Sequence, residues 1–441
     1  MRLFTKKEGV IIGRAQGRAL SGAALFSKKE ILTSDEMALH VHVVGASGYG
    51  KTVLLKKIIQ YKIQKGEGLL FVDLKADSEL LTDIKKIAEK ANRLEDLKFF
   101  SISDPECSSF YNPIKNGTYS QIRDRVMGSL NWSEEYYKNQ AGSFLLKLLM
   151  GLKKLQKIDM GFEYGLMELL RASTDVQYIE ELFFKLKGNK EAHKEESILR
   201  ELIEWMSEKE NFRSLSGLRS QLESLMLSEF GEKLKTGDDE IDLFEAVKHK
   251  KIIIVFLDSR RYQELAMQMG RLLLQDLKAV SSKIDSEIPK NERSAFSVII
   301  DEFSDLASED FISFLDRARS SKMSVVLAHQ EISDLSRVSP EFAGRLLGNM
   351  STNYVFLQKR PESAELFSGM AGTRSVYKET DQMDSLLGFS IPSGKKSRRE
   401  VEEFLIHPNK IKSLPVGRCV VIKKYPKATS SIVDVFPEGK T

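Results

Sequence analysis

Leu39-His40-Val41-His42-Val43-Val44-Gly45-Ala46-Ser47-Gly48-Tyr49-Gly50-Lys51-Thr52 is the stretch on which the reading of this chain turns. Residues 39–44 form a compact run rich in valine, the pattern of a buried strand. The next eight residues fit G-x-x-x-x-G-K-[ST], in which glycines allow a tight loop whose backbone N–H groups point at phosphate oxygens. Lys51 is placed to reach the β- and γ-phosphates, and the Thr52 hydroxyl to bind Mg²⁺. Leu54, Leu55, Ile58, Ile59 and Ile63 then fall at helical spacing, so a helix N-terminus faces the same anion. A glycine turn without a ligand is the alternative; the strand before and the helix after argue against it. The expected nucleotide ligands are therefore Gly45, Ala46, Ser47, Gly48, Tyr49, Gly50, Lys51 and Thr52, with ATP and Mg²⁺ as the bound groups.

Outward from this loop the chain alternates. Strands are expected at 68–73 and 97–102 with a helix at 78–92 between them, the order of a parallel sheet covered by helices. From 119 to 245 strand signal disappears and apolar residues recur at spacings of three and four, as in Phe144, Leu145, Leu148, Leu149 and Leu152. This stretch reads as an all-α insertion. Alternation resumes with the β-branched run Lys251–Leu257, a helix at 260–282, strands at 296–301, 324–328 and 353–357, and a final strand near 418–423. The expected fold is α/β, a RecA-like P-loop NTPase with a mainly parallel central sheet flanked by helices. It divides into 1–118 (the part with the phosphate loop), 119–245 (the all-α insertion) and 246–441 (the remaining nucleotide-binding part). The first forty residues read as a small lead-in sheet, and the polar stretch 374–400 as a mobile loop.

The second half of a nucleotide site should be a strand ending in acids, and Ser297-Val298-Ile299-Ile300-Asp301-Glu302 supplies one. Asp301 is expected to hold Mg²⁺ through water, and Glu302 to orient and deprotonate the attacking water. Gln330 ends the strand 324–328 and is the candidate γ-phosphate sensor; capping that strand end is its other reading. Arg317 and Arg319 read equally as surface charges or as an arginine finger reaching a neighbouring subunit's site. Asp73 and Lys75 lie on the same carboxyl edge of the sheet, with their role left open.

Bulk properties set the frame. The 441 residues carry 67 Lys+Arg against 63 Asp+Glu, a balance that permits nucleic-acid binding without arguing for it. Cys107 and Cys419 lack C-x-x-C spacing, and the six histidines show no metal-ligand pattern, so neither a disulfide framework nor a zinc site is indicated. The start lacks a signal peptide's apolar centre and no window is apolar enough to span a membrane, which predicts a cytoplasmic chain held at a membrane only through partners.

HVHVVGASGYGKT at 40–52, FVDLKAD at 71–77, FYNPI at 110–114, VIIDEFSDLA at 298–307, SVVLAHQ at 324–330 and EFLIHP at 403–408 together resemble the type IV coupling proteins of conjugation and type IV secretion, the TraD/TraG group within the FtsK-like hexameric DNA-pumping ATPases. The resemblance covers nearly the whole chain. It implies nucleotide ligands at Lys51 and Thr52, the metal acid at Asp301, the catalytic carboxylate at Glu302 and the sensor at Gln330, and it favours Arg319 over Arg317 as the finger. Implied too are a homo-hexameric ring, single-stranded DNA in its central channel, and relaxase and secretion-channel partners. Lys153, Lys154 and Lys157, and the cluster at 395–399, are candidates to track DNA phosphates. Within these residues there are neither the N-terminal membrane helices nor the long C-terminal tail that many members carry. Pumping of protein or double-stranded DNA is the alternative activity, and a nucleotide-gated adaptor that does not hydrolyse is the alternative class.

Overall fold

The computed structural model describes residues 8–15, 28–386 and 389–435. Its strands are β1 (Gly9–Ala15), β2 (Lys29–Thr33), β3 (Val41–Val44), β4 (Gly68–Asp73), β5 (Leu97–Ser101), β6 (Ile252–Phe256), β7 (Phe296–Asp301), β8 (Met323–His329), β9 (Thr352–Val355), β10 (Thr373–Leu386), β11 (Phe389–Phe404), β12 (Arg418–Lys423) and β13 (Thr429–Val435). The chain divides into two compact units, one of residues 1–58 with 326–441 and one of residues 59–325.

In the second unit the sheet order is β7-β4-β6-β5, with every pair parallel. Each residue of β4 (GLLFVD), β6 (IIIVF) and β7 (FSVIID) is buried, as expected for strands covered on both faces. Parallel register places Asp73 beside Asp301 at the carboxyl ends of β4 and β7. β5 and β6 are direct neighbours, Leu97 pairing with Ile252, so everything between them is an elaborated crossover. That crossover is helical, from Tyr119–Ser129 through Glu135–Ile158 to Leu243–Lys248.

The helix Glu135–Ile158 buries Phe144, Leu145, Leu148, Leu149 and Leu152, one stripe at 3.6-residue spacing. Gly151 lets His193–Ser207 approach closely, since a Cβ there would stand 2.9 Å from Leu199 Cδ2. FYNPI ties the crossover to the sheet side of this unit. Phe110 N–H donates to the Asp239 carbonyl, Asn112 Nδ2 to the Tyr164 carbonyl, and Tyr111 Oη to Asp276 at 2.9 Å.

In the first unit β8, β3 and β9 run parallel, Val41 pairing with Val326 and with Thr352. β12, β13, β1 and β2 extend that sheet antiparallel beyond β9. The lead-in segment is therefore not a separate sheet: β1 joins β13, a strand the sequence reading did not place, and residues 1–7 and 16–27 lie outside the described residues. The stretch 374–400 is also corrected. It belongs to the antiparallel hairpin β10–β11, held by cross-strand pairs such as Lys378–Glu403 (3.2 Å) and the Arg398 guanidinium over the Tyr377 ring (4.1 Å). The side chains of Lys395 and Lys396 lie outside the described part. Among the described residues no helix is long and apolar enough to cross a membrane.

Candidate functional site

The phosphate loop leaves the buried strand β3 and opens the helix Lys51–Gln64. Its base is pinned to neighbouring strand ends, with Gly45 N–H donating to the His329 carbonyl (3.2 Å) and Ala46 N–H to the Leu357 carbonyl (3.0 Å). Gly45, Gly48 and Gly50 have φ of 154°, 81° and 112°, conformations costly for residues with a Cβ. At Gly45 a Cβ would fall 2.4 Å from Phe356 Cβ, whereas at Gly48 nothing lies within 4 Å. The loop is thus packed at its base and open at its crown. Lys51 is only 4% exposed, and its Nζ donates to the carbonyls of Gly45 (2.6 Å) and Ala46 (3.3 Å), holding the ammonium inside the loop. Thr52 sits in the helix's first turn, half-buried. An inward ammonium, left-handed glycines and the N-terminus of a 14-residue helix fit a polyphosphate.

In the other unit β7 ends at Asp301, 2% exposed, followed by Glu302, 8% exposed, in the left-handed conformation (φ 55°, ψ 42°). A non-glycine residue there costs about 1–2 kcal/mol, so the backbone is held by its surroundings, including Glu302 N–H donating to Asp301 Oδ1 at 3.0 Å. Lys75 answers both acids. Its Nζ stands 2.5 Å from Glu302 Oε1 and 3.7 Å from Asp301 Oδ2. Burial works against the Lys75 charge, but Asp301, Glu302 and Asp73 outweigh it and hold its pKa above the ordinary lysine value. Asp73 builds the turn that carries this lysine, accepting the N–H groups of Lys75 (2.8 Å) and Asp77 (2.9 Å). Burial raises the Asp73 carboxyl pKa, and these two donors oppose the rise.

No cluster of three or more His, Cys, Asp or Glu side chains suited to a metal occurs among the described residues. The adjacent carboxylates of Asp301 and Glu302 suit Mg²⁺, which takes oxygen ligands and keeps most of its shell as water and phosphate oxygen.

β8 delivers His329 and Gln330. Gln330 is exposed at the strand end. His329 is buried, its Nδ1 3.0 Å from the Glu331 carbonyl and its Nε2 2.7 Å from His42 Nε2 on β3. A carbonyl only accepts, so His329 Nδ1 carries the proton and Nε2 accepts from His42 Nε2–H. His42 Nδ1 must then accept as well, and the Asn353 side-chain amide lies 3.1 Å away. With its NH₂ toward the ring the chain of donors closes; the reverse orientation leaves Nδ2 buried without a partner. Both rings are neutral. Burial pushes His329 down to about 4, the Lys51 charge adding to the shift and the Glu331 carbonyl opposing it; burial and His329 push His42 well below the ordinary value. Glu331 anchors the following segment by accepting from Lys359 N–H (3.3 Å) and Ser363 Oγ (3.0 Å).

One unit thus assembles Gly45–Thr52 with His329 and the end of β8, and the other assembles Asp73, Lys75, Asp301 and Glu302. Arg319 follows the helix Glu309–Ala318 as its C-cap and is exposed, while Arg317 lines a cavity of about 200 Å³ with Asp124 and Gln275. The sequence reading missed the pairing of Lys75 with the acids and the His42–His329–Asn353 chain.

Three comparisons bear on this geometry. The profile of the family described as "TraM recognition site of TraD and TraG" matches residues 295–416. The chain is 21% identical over 398 residues to the type 4 coupling protein DotL of Legionella pneumophila, a match covering 78% of this chain and 50% of DotL, so it spans half of that relative's length. It superposes on the bacterial conjugative coupling protein TrwBΔN70 with a TM-score of 0.65 at 17% identity, over 92% of this chain and 87% of that one. A structure of TrwB in complex with ADP and Mg²⁺ matches with a TM-score of 0.60 at 16% identity, over 93% and 88% of the two chains. The fold is the α/β, RecA-like P-loop fold, with a mainly parallel sheet flanked by helices.

Proposed function

We propose that the chain is a type IV coupling protein of the TraD/TraG group, a ring-forming ATPase that hydrolyses ATP to move DNA into a secretion channel; the family match over 295–416 and the likeness to DotL support this reading. The buried acid pair Asp301–Glu302 carries the reading, because a site that only bound nucleotide would not need a second carboxylate held in a strained conformation beside the first. Lys51 and the loop N–H groups bind the β- and γ-phosphates. Thr52 and Asp301 hold Mg²⁺, which when bound neutralises phosphate charge. Glu302 orients the attacking water and takes its proton, and Gln330 reads the γ-phosphate. Lys75 bridges both carboxylates until a cation replaces it. Arg319 serves as the finger for an adjacent subunit.

The ring is a homo-hexamer with single-stranded DNA in its centre, and relaxase and channel components are its partners. Those partners hold it at the inner face of the membrane. The all-α stretch 119–245 acts as the module that meets the cargo, and in sequence it lies between the nucleotide-binding parts 1–118 and 246–441.

Steady-state ATP hydrolysis with single-stranded, double-stranded and no DNA tests the proposal, alongside Glu302→Gln. The expected result is turnover stimulated by single strands and lost in the variant, with ATP-analogue binding retained. Absence of stimulation by any nucleic acid would remove the DNA cargo, and a parent protein without turnover would make the chain a nucleotide-gated adaptor.

A further inference from the structure

Away from the strand ends, the helices Tyr119–Ser129, Glu135–Ile158 and Gln263–Glu287 enclose a cleft of about 590 Å³. Arg125, Lys153, Lys157 and Lys283 line it, against Glu287 as its one lining carboxylate. Arg125 is 2% exposed and paired with Asp276 at 2.8 Å, yet its Nε is buried without a partner. Lys283 lies 4.0 Å from Glu287 and 3.8 Å from the Phe244 ring centre.

The other two lysines are not neutralised. Half-buried Lys153 donates only to neutral oxygens, the Lys115 carbonyl and Gln156 Oε1, both at 3.3 Å. Exposed Lys157 has no carboxylate within 4.0 Å among the described residues. Counting Asp276 and Glu287 against the four cations leaves the cleft with a positive excess. Burial, then Arg125, Lys157 and Lys283, lower the Lys153 pKa, the mark of a cation that an anion would relieve.

A cleft of this volume lies in the range of small-ligand sites, roughly 300–1,000 Å³. Three helices wall it, and the half-exposed Tyr119 ring stands at its lip. We propose that this cleft is a second anion site that takes a small phosphorylated ligand, its phosphates on Lys153, Lys157 and Lys283 and the free Nε–H of Arg125. Phosphate is the shared chemistry. A nucleoside phosphate would add stacking on Tyr119, and a phosphorylated sugar or inorganic polyphosphate would not.

The full chain, loaded with a Mg²⁺–ATP analogue to occupy the phosphate loop, is titrated calorimetrically with inorganic pyrophosphate, with AMP and with a short oligothymidylate. Lys153→Ala/Lys157→Ala is compared with Lys154→Ala, which removes a neighbouring charge that pairs instead with Glu191 at 3.7 Å. Pyrophosphate or AMP should bind, and the double variant should weaken binding by about tenfold or more, since each lysine supplies a charge-assisted contact. Lys154→Ala should bind as the parent does. Tighter AMP than pyrophosphate identifies a nucleotide, and the reverse order a simpler phosphate.

Hydrogen exchange of the unmodified chain, read on peptides covering 116–125, 150–158 and 279–287, locates the site without a variant and without the phosphate loop. A failure of ATP binding is thereby kept separate from a failure of the cleft. The proposal falls if neither small probe protects those peptides, if Lys154→Ala loses as much affinity as the double variant, or if only the oligothymidylate binds.

Discussion

Acidification will loosen the unit that carries the phosphate loop, and His329 sets the size of the effect. Its pKa is about 4 in the fold against 6.5 ordinarily. The unfolded chain therefore binds the extra proton first, so stability falls as pH drops through the ordinary value and stops falling below about 4. The gap between those two values amounts to about 3 kcal/mol at full protonation, and about 2 kcal/mol of it is lost between roughly pH 7 and pH 5. His42 acts with the same sign, because its pKa is lowered too. The assay is urea unfolding at both pH values, followed by hydrogen exchange on peptides covering 41–44 and 326–329, for the parent and for His329→Gln. The variant loses stability at every pH, since it disturbs a packed contact 2.7 Å from His42; the readout is the slope. Parent and variant showing the same loss from pH 7 to pH 5 would refute the buried neutral ring.

Gly45→Ala forces a Cβ to 2.4 Å from Phe356, so it should cost about 1–3 kcal/mol and most of the ATP-analogue affinity, while Gly48→Ala, facing open space, costs about 1 kcal/mol; thermal shifts and nucleotide titration separate them. Asp73→Ala strands the N–H groups of Lys75 and Asp77, for about 1–3 kcal/mol in urea unfolding, and lowers ATP turnover by releasing Lys75 from the acid pair. Asp276→Ala leaves the buried Arg125 guanidinium without its carboxylate and should cost about 3–5 kcal/mol, whereas Arg123→Ala, at a surface pair with Asp124, stays within about 1 kcal/mol by the same measurement.

What was legible in the sequence is what a local pattern encodes. β3, β4, β6 and β7 are largely apolar, fully buried runs, and the loop follows β3 and the acid pair ends β7, where chain order alone places them. β10 and β11 were missed because Thr373-Arg374-Ser375-Val376-Tyr377-Lys378, largely exposed, shows no alternation of apolar residues and reads as a loop, although it pairs residue by residue with β11. The edge β13–β1–β2 was missed in part because its pairing joins the two ends of the chain, Gly13 with Val435. Lys75 and the His42–His329 contact are settled by register between strands far apart in sequence, which no window of residues contains.

The left-handed backbone at Glu302 sets fold endurance against work at that position. Glycine would relax it at no cost in contacts to the main chain, so any selection for heat resistance alone is drawn toward glycine or asparagine there. On the proposed reading of Glu302, such a protein would outlast its parent on heating and no longer hydrolyse ATP. An acid held in so unfavourable a conformation is what the proposed motor would need and a merely durable fold would not.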